Sequence, residues 1–178
     1  MGYLAEEVGY PFNLTPPEAF TPFKGGIYGW GSICGALVAP IATIAMLFES
    51  SENEALINEL MAFYKDAAFP QFQPKGLNVA TTVANSNLCH VSVTTWMQAT
   101  GLPRTAPERS ERCAGVTADV CKFTVEMLNK YMDKAFVSEF KPAAVVGECM
   151  SCHDSTKNIS PAYGKEDCTS CHDDPHKS

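Results

Sequence analysis

Cys149-Met150-Ser151-Cys152-His153 and Cys168-Thr169-Ser170-Cys171-His172 repeat one spacing within a chain of 178 residues. Cys-x-x-Cys-His is the attachment signal for c-type haem. Two thiols one helical turn apart reach the two vinyl groups of one porphyrin, and the adjoining imidazole is left beneath the iron. Two copies imply two haems per chain. Cys149, Cys152, Cys168 and Cys171 would then be the covalent anchors, and His153 and His172 the proximal iron ligands. The fifteen residues between Cys152 and Cys168 also satisfy a four-cysteine zinc spacing, and a dithiol or disulfide is a third possibility. The histidine directly after each pair favours haem, because a four-thiolate zinc site has no use for it.

Four more cysteines, Cys34, Cys89, Cys113 and Cys121, lie outside these motifs. Four thiolates are the usual complement of an iron–sulfur cluster. Cys34 follows a glycine-rich run from Gly29 to Ser32, where backbone amides can approach a cluster sulfur closely. Two disulfides are the main rival, and buried inert cysteine is the plain alternative. Cys113 and Cys121 share a helix, on which eight residues span ~12 Å. That is wide for one small cluster, so either Gly115 marks a distortion or one of the two is not a ligand.

The chain has four histidines. With His153 and His172 assigned, His90 and His176 are the candidate distal haem ligands, and methionine, present seven times, competes for that role. His176 follows His172 by four residues and cannot reach the opposite face of the haem that His172 holds. It should bind the other haem, in its own chain or in a partner's.

The elements that position these groups read as helices. Met1 to Lys24, with four prolines and no sustained period, is expected to be an extended arm. Gly25 to Phe48 carries no charge, but its strongly apolar part, Ile33 to Phe48, is short of the ~20 residues a bilayer needs; Pro40 fits a buried, kinked helix and no stable membrane span. Ser51-Glu52-Asn53-Glu54 reads as a capping box that opens a helix ending before Pro70, with Leu56, Ile57, Leu60, Met61, Phe63 and Tyr64 as its stripe. Gln71 to Asn87 is loop-like, with a turn at Pro74-Lys75-Gly76. A third helix is expected from near Asn87 to Thr100. From Pro107 the longest helix presents Cys113, Val116, Val120, Phe123, Met127, Leu128, Tyr131 and Ala135 on one face and Glu108, Glu111, Lys122, Glu126 and Lys130 on the other. The fold class is all-α: a helical bundle with a small, irregular C-terminal dihaem-binding segment. The boundaries are an arm over 1–24, a helical domain with an iron–sulfur centre over 25–136, and a linker and dihaem segment over 137–178. From Gly147 onward the sizeable apolar side chains are Met150, Ile159 and Tyr163. Such a segment needs its cofactors as a staple.

Hydrophobic content of 46% with 19% charged residues describes a globular protein. A net charge of -7 excludes nucleic acid as a natural partner and favours a basic redox protein, since opposite potentials speed encounter. Haem attachment to such motifs places the protein in the periplasm. Met1 to Phe12 lacks the basic start and apolar run of a signal peptide, so a processed or altered N-terminus is expected.

TPFKGGIYGWGSICGAL, SNLCHVSV, ERCAGVTADVCKFTVEMLN, CMSCH and CTSCHDDPH together resemble the split-Soret cytochromes c of sulfate-reducing bacteria. The segment around Cys34 also resembles a broader group of redox-active proteins with a Gly-Cys-Ala-type motif, although no cysteine precedes Cys34 here. The resemblance implies a homodimer with a helical N-terminal portion carrying an iron–sulfur centre, and two stacked haems per chain, held by histidine pairs and gathered at the dimer interface. The expected function is electron transfer, not enzymatic catalysis, with haem c and an iron–sulfur cluster, of the two-iron, two-sulfur type for preference, as cofactors. A haem enzyme with a labile distal ligand and a zinc-stabilised interaction module are the rivals.

Overall fold

The computed structural model describes residues 2–154, 156 and 164–171. They form two compact units, 1–138 and 139–178.

The first unit is helical, as the periodicity requires. After a short helix α1 (Gly2–Glu7) and two 3-10 turns at Phe12–Leu14 and Pro17–Phe23, a tight turn α2 (Lys24–Ile27) leads to α3 (Gly35–Leu47), α4 (Ser50–Asp66), α5 (Cys89–Thr100) and α6 (Pro107–Met132). The N-terminal stretch is therefore wound into short turns, where an extended arm was expected. Pro17 takes the first position of its turn, where a missing N–H costs nothing, while Pro22 lies inside it. α3 buries Ala36, Leu37, Pro40, Thr43 and Ile44, a stripe at spacings of three and four that packs on α4 and α6. No helix among the described residues is long and apolar enough to cross a membrane.

α4 starts one residue before the expected box. Glu49 is the cap: its carboxylate takes the N3 amide while Glu52 accepts the Glu49 N–H at 3.2 Å. Carboxylates in the first turn also suit the positive end of the helix dipole. Leu56, Leu60 and Tyr64 are buried on successive turns, and Phe63 stacks on Phe123 of α6 with ring centroids 3.9 Å apart.

α6 runs unbroken for 26 residues, so Gly115 marks no distortion. A Cβ there would lie 2.2 Å from the Phe72 carbonyl oxygen, which means that glycine is needed for close approach of the 70–76 loop. That loop hangs on buried carboxylates of α6. Asp119 accepts the Gln71 and Phe72 amides at 2.7 and 3.1 Å, and Glu111 accepts the Lys75 amide. Glu111, expected on the polar face, is consequently buried at 3% exposure. Ala135 lies beyond the helix and is exposed. A two-residue antiparallel pair, β1 (Ala68–Phe69) with β2 (Thr82–Val83), closes the loop in register Ala68↔Val83 and Phe69↔Thr82; it is too short to leave a sequence signature.

The second unit contains α7 (Ala144–His153) and a 3-10 turn at Cys168–Ser170. α7 begins at Ala144, inside Val137 to Val146, the stretch expected to be a linker. Val146 is the one buried residue among those described in this unit.

Candidate functional site

The backbone from Gly31 to Cys34 runs antiparallel to Asn87–His90. Cys34 N–H donates to Asn87 O at 3.0 Å, Cys89 N–H to Ser32 O at 2.7 Å and His90 N–H to Gly31 O at 3.3 Å, and Ile33 bridges Leu88. This pairing brings Cys34, the residue capping α3, beside Cys89, the first residue of α5. Each thiol therefore stands at a helix N-terminus, where the helix dipole favours a thiolate. Cys89 donates to the Cys34 sulfur, and with further hydrogen bonds from Tyr64 and the Ala36 amide this outweighs burial and lowers the Cys34 thiol to about 6. Cys89 moves the other way, held protonated by that same hydrogen bond and by burial. The two form a thiol–thiolate pair.

Cys113 joins them from α6. Cys34, Cys89, Cys113, Tyr64, His90 and Arg112 all line one cavity of about 610 Å³. Arg109 Nη1 lies 3.8 Å from the Cys113 sulfur. Cys121 does not line this cavity; it is exposed, two turns further along an unbroken helix. As the side chains stand, no three Cys, His, Asp or Glu among the described residues converge on a single metal position; the three thiols share a wall. No two of the eight cysteines are joined in a disulfide. The donor set fits a thiophilic metal: three sulfur ligands, of which Cys34 is shifted toward the thiolate, with Arg112 offering positive charge to offset it.

His90 is aimed by a glycine. Its Nδ1 lies 2.8 Å from the Gly31 carbonyl oxygen, so Nδ1 carries the proton and Nε2 keeps its lone pair for a metal. Gly31 has φ of +73°, and a Cβ on it would meet the His90 Cβ at 2.9 Å. The run from Gly25 to Tyr28 that leads into this contact is left-handed throughout, including Ile27 at φ 63° and Tyr28 at φ 48°. A β-branched residue there is a strained one.

In the second unit Cys149, Cys152 and His153 occupy the last turns of α7, with Cys149 half-buried and Cys152 exposed. Cys168 and Cys171 close one turn through a Cys171 N–H to Cys168 O bond of 3.3 Å. Asp167 caps that turn, accepting the Thr169 amide at 2.8 Å. Both pairs thus present two sulfurs one turn apart, the spacing a porphyrin's vinyl groups require. His172 and His176 lie outside the described residues.

Residues 1–127 match the model of the redox-active protein family C_GCAxxG_C_C. The chain is 36% identical over 167 residues to the split-Soret cytochrome c of Desulfovibrio desulfuricans, covering 89% of this chain and 60% of that protein. It superposes with a TM-score of 0.86 and 34% identity, over 98% of its length and 77% of the other chain, on a structure reported for a novel iron centre in the split-Soret cytochrome c from Desulfovibrio desulfuricans ATCC 27774. The chain belongs to the split-Soret cytochromes c. The likeness to the solved split-Soret structure runs through almost the whole chain, whereas the redox-active family match stops short of both Cys-x-x-Cys-His motifs and contains the thiol cavity entire. The chain spans about 60% of the length of the curated split-Soret relative.

Tyr64, Ser92 and Arg112 also line the cavity, and no sequence signal marks them for it: Tyr64 continues the apolar stripe of α4, and a lone arginine beside Cys113 has no period or motif to single it out.

Proposed function

We propose that this chain is a periplasmic electron-transfer protein carrying two c-type haems and one iron–sulfur centre, and that it works as a homodimer with a basic redox partner. The observation that carries the reading is that Cys34, Cys89 and Cys113, from three separate helices, line one cavity in a chain that also holds two haem-attachment motifs. The solved relative is reported for a novel iron centre, which supports an iron site in the cavity. Cys149 with Cys152, and Cys168 with Cys171, would anchor the porphyrins, His153 and His172 would bind iron from the proximal side, and His90 and His176 from the distal side. When bound, these groups supply one-electron chemistry.

The protein's own part is to hold ligands in place. The Gly31 carbonyl fixes the tautomer of His90, leaving Nε2 as donor. The paired backbone at Gly31–Cys34 and Asn87–His90 sets the Cys34–Cys89 separation. With Cys121 on the exposed side of α6, the three cavity cysteines are the proposed sulfur ligands. Scarcity of burial among the described residues of the second unit favours haem and a second chain as its missing apolar surface.

A haem-stained denaturing gel and a visible spectrum of the holoprotein test the haem assignment. Stain should stay with the chain, and the oxidised protein should show low-spin haem throughout. Bound zinc without stain would overturn it, and five-coordinate high-spin haem would favour an enzyme.

A further inference from the structure

The cavity that holds the three thiols is opposite in charge to the chain that forms it. Lys24, Arg104, Arg109 and Arg112 line it, four of the 13 Lys and Arg in a protein with a net charge of -7, whereas none of the 20 Asp and Glu lines it among the described residues. The ion pairs of the described residues, Lys65 with Asp66 and Lys122 with Glu126, include none of the four. Buried acids on α6 are engaged elsewhere: Glu111 holds the Lys75 amide and Asp119 the Gln71 and Phe72 amides. The partners that Arg109 and Arg112 do have are neutral hydroxyls and a cysteine sulfur. Arg109 Nη2 donates to Ser110 Oγ at 3.4 Å and Nη1 lies 3.8 Å from the Cys113 sulfur, and Arg112 Nη2 donates to Ser92 Oγ at 2.7 Å. A guanidinium has five N–H donors, so both have donors to spare.

Burial grades the four cations. Lys24 and Arg104 are exposed, Arg109 is half-buried and Arg112 is 1% exposed, so positive charge runs from solvent to the interior. Walls of one sign and low dielectric focus the field and draw in ions of the other sign. A buried guanidinium without a counter-ion is also costly. The Cys34 thiol, shifted toward the thiolate, offsets part of the charge. An oxidised two-iron, two-sulfide centre on three thiolates would carry about one net negative charge, which still leaves most of the cavity's positive charge unmatched. We propose that the cavity is a binding site for a small inorganic oxyanion, which Lys24 and Arg104 draw in and Arg109 and Arg112 hold near the thiols. Forked guanidinium groups bond the paired oxygens of such an ion two at a time. A tetrahedral oxyanion fills roughly 100 Å³, a few water volumes, so within about 610 Å³ it leaves the sulfur wall its room. The site stands with or without the iron centre of the preceding section.

Calorimetric titration of inorganic phosphate into the holoprotein, at low ionic strength with chloride as the background anion, tests the proposal. Saturable binding of one phosphate per chain is expected. Arg109→Gln should weaken it about tenfold, the loss of a charge-assisted contact. Arg104→Gln, at an exposed position that contributes little to packing, should weaken it about threefold. Lys130→Gln removes the same charge from an exposed position of α6 outside the cavity and should bind as the parent does. No saturable binding to the holoprotein overturns the proposal and leaves the cations as a counterweight to the metal centre. Equal weakening in all three variants overturns it too, because net charge alone then sets the affinity. So does parent-like binding in both Arg109→Gln and Arg104→Gln, which would place the phosphate elsewhere. If Arg109→Gln does not fold, Arg104→Gln against Lys130→Gln decides. Non-haem iron measured on the same samples reports on the iron centre separately, and its absence leaves the expected phosphate binding unchanged.

Discussion

His90 Nδ1 and the Gly31 carbonyl oxygen are 2.8 Å apart, a contact possible only because residue 31 has no side chain. Gly31→Ala would put a methyl group 2.9 Å from the His90 Cβ on a backbone with φ of +73°. The imidazole must turn away or the left-handed run must rearrange, at a cost of about 1–3 kcal/mol. The variant should melt lower than the parent, and if His90 is a distal ligand, part of its haem should become high-spin in the visible spectrum.

Ile27 offers the opposite experiment. It is a β-branched residue at φ 63° with 41% of its surface exposed, so it keeps strain and buries little. Ile27→Gly should raise the thermal midpoint, by about 1 kcal/mol of stability, since the left-handed penalty for a side chain is ~1–2 kcal/mol and exceeds the added entropy of glycine. A lower midpoint would show that the Ile27 side chain contributes packing worth more than its strain.

Asp119 carries the 70–76 loop by two amide hydrogen bonds. Asp119→Ala strands both N–H groups and should cost ~2 kcal/mol or more. Glu126→Ala, seven residues along the same helix and paired only with exposed Lys122 at 3.6 Å, should cost no more than ~0.5 kcal/mol. Denaturant unfolding of the two variants side by side checks the contrast.

The Cys34–Cys89 pair makes the stability of the metal-free, reduced protein depend on pH. Cys34 is lowered from 9.0 to about 6, so its contribution is full above pH 9 and is lost as pH falls through 6. Cys89 is raised above 9.0, so its contribution is full below pH 9 and is lost as pH climbs beyond it. Stability should therefore rise between pH 6 and 9 and fall above, and Cys34→Ser should remove the rise. Urea unfolding of the metal-free protein across that range measures both limbs.

Helix positions were legible in the sequence because the apolar stripes of α3, α4 and α6 follow a helical period. The capping residue of α4 was misplaced by two, since Glu49 can do what Ser51 was expected to do. Glu111 and Asp119 could not be read as buried: their partners are backbone amides of a loop some forty residues away, which no periodicity records. The same holds for the cavity. Glycines and cysteines announced Cys34, Cys89 and Cys113 by type, and the ~12 Å helical rise already set Cys121 apart from Cys113, but the backbone pairing that joins Cys34 to Cys89 is visible only in the fold. Tyr64, Ser92 and Arg112 are common residues whose meaning comes from what they touch.

Total iron, haem and acid-labile sulfide per chain, determined on anaerobically purified holoprotein, test the central claim most directly. Two haems and a thiolate-held iron–sulfur centre require iron in excess of the haem iron, together with labile sulfide, and both should vanish in Cys34→Ser while haem stays. Iron equal to haem, with no labile sulfide, would contradict an iron–sulfur centre in this cavity.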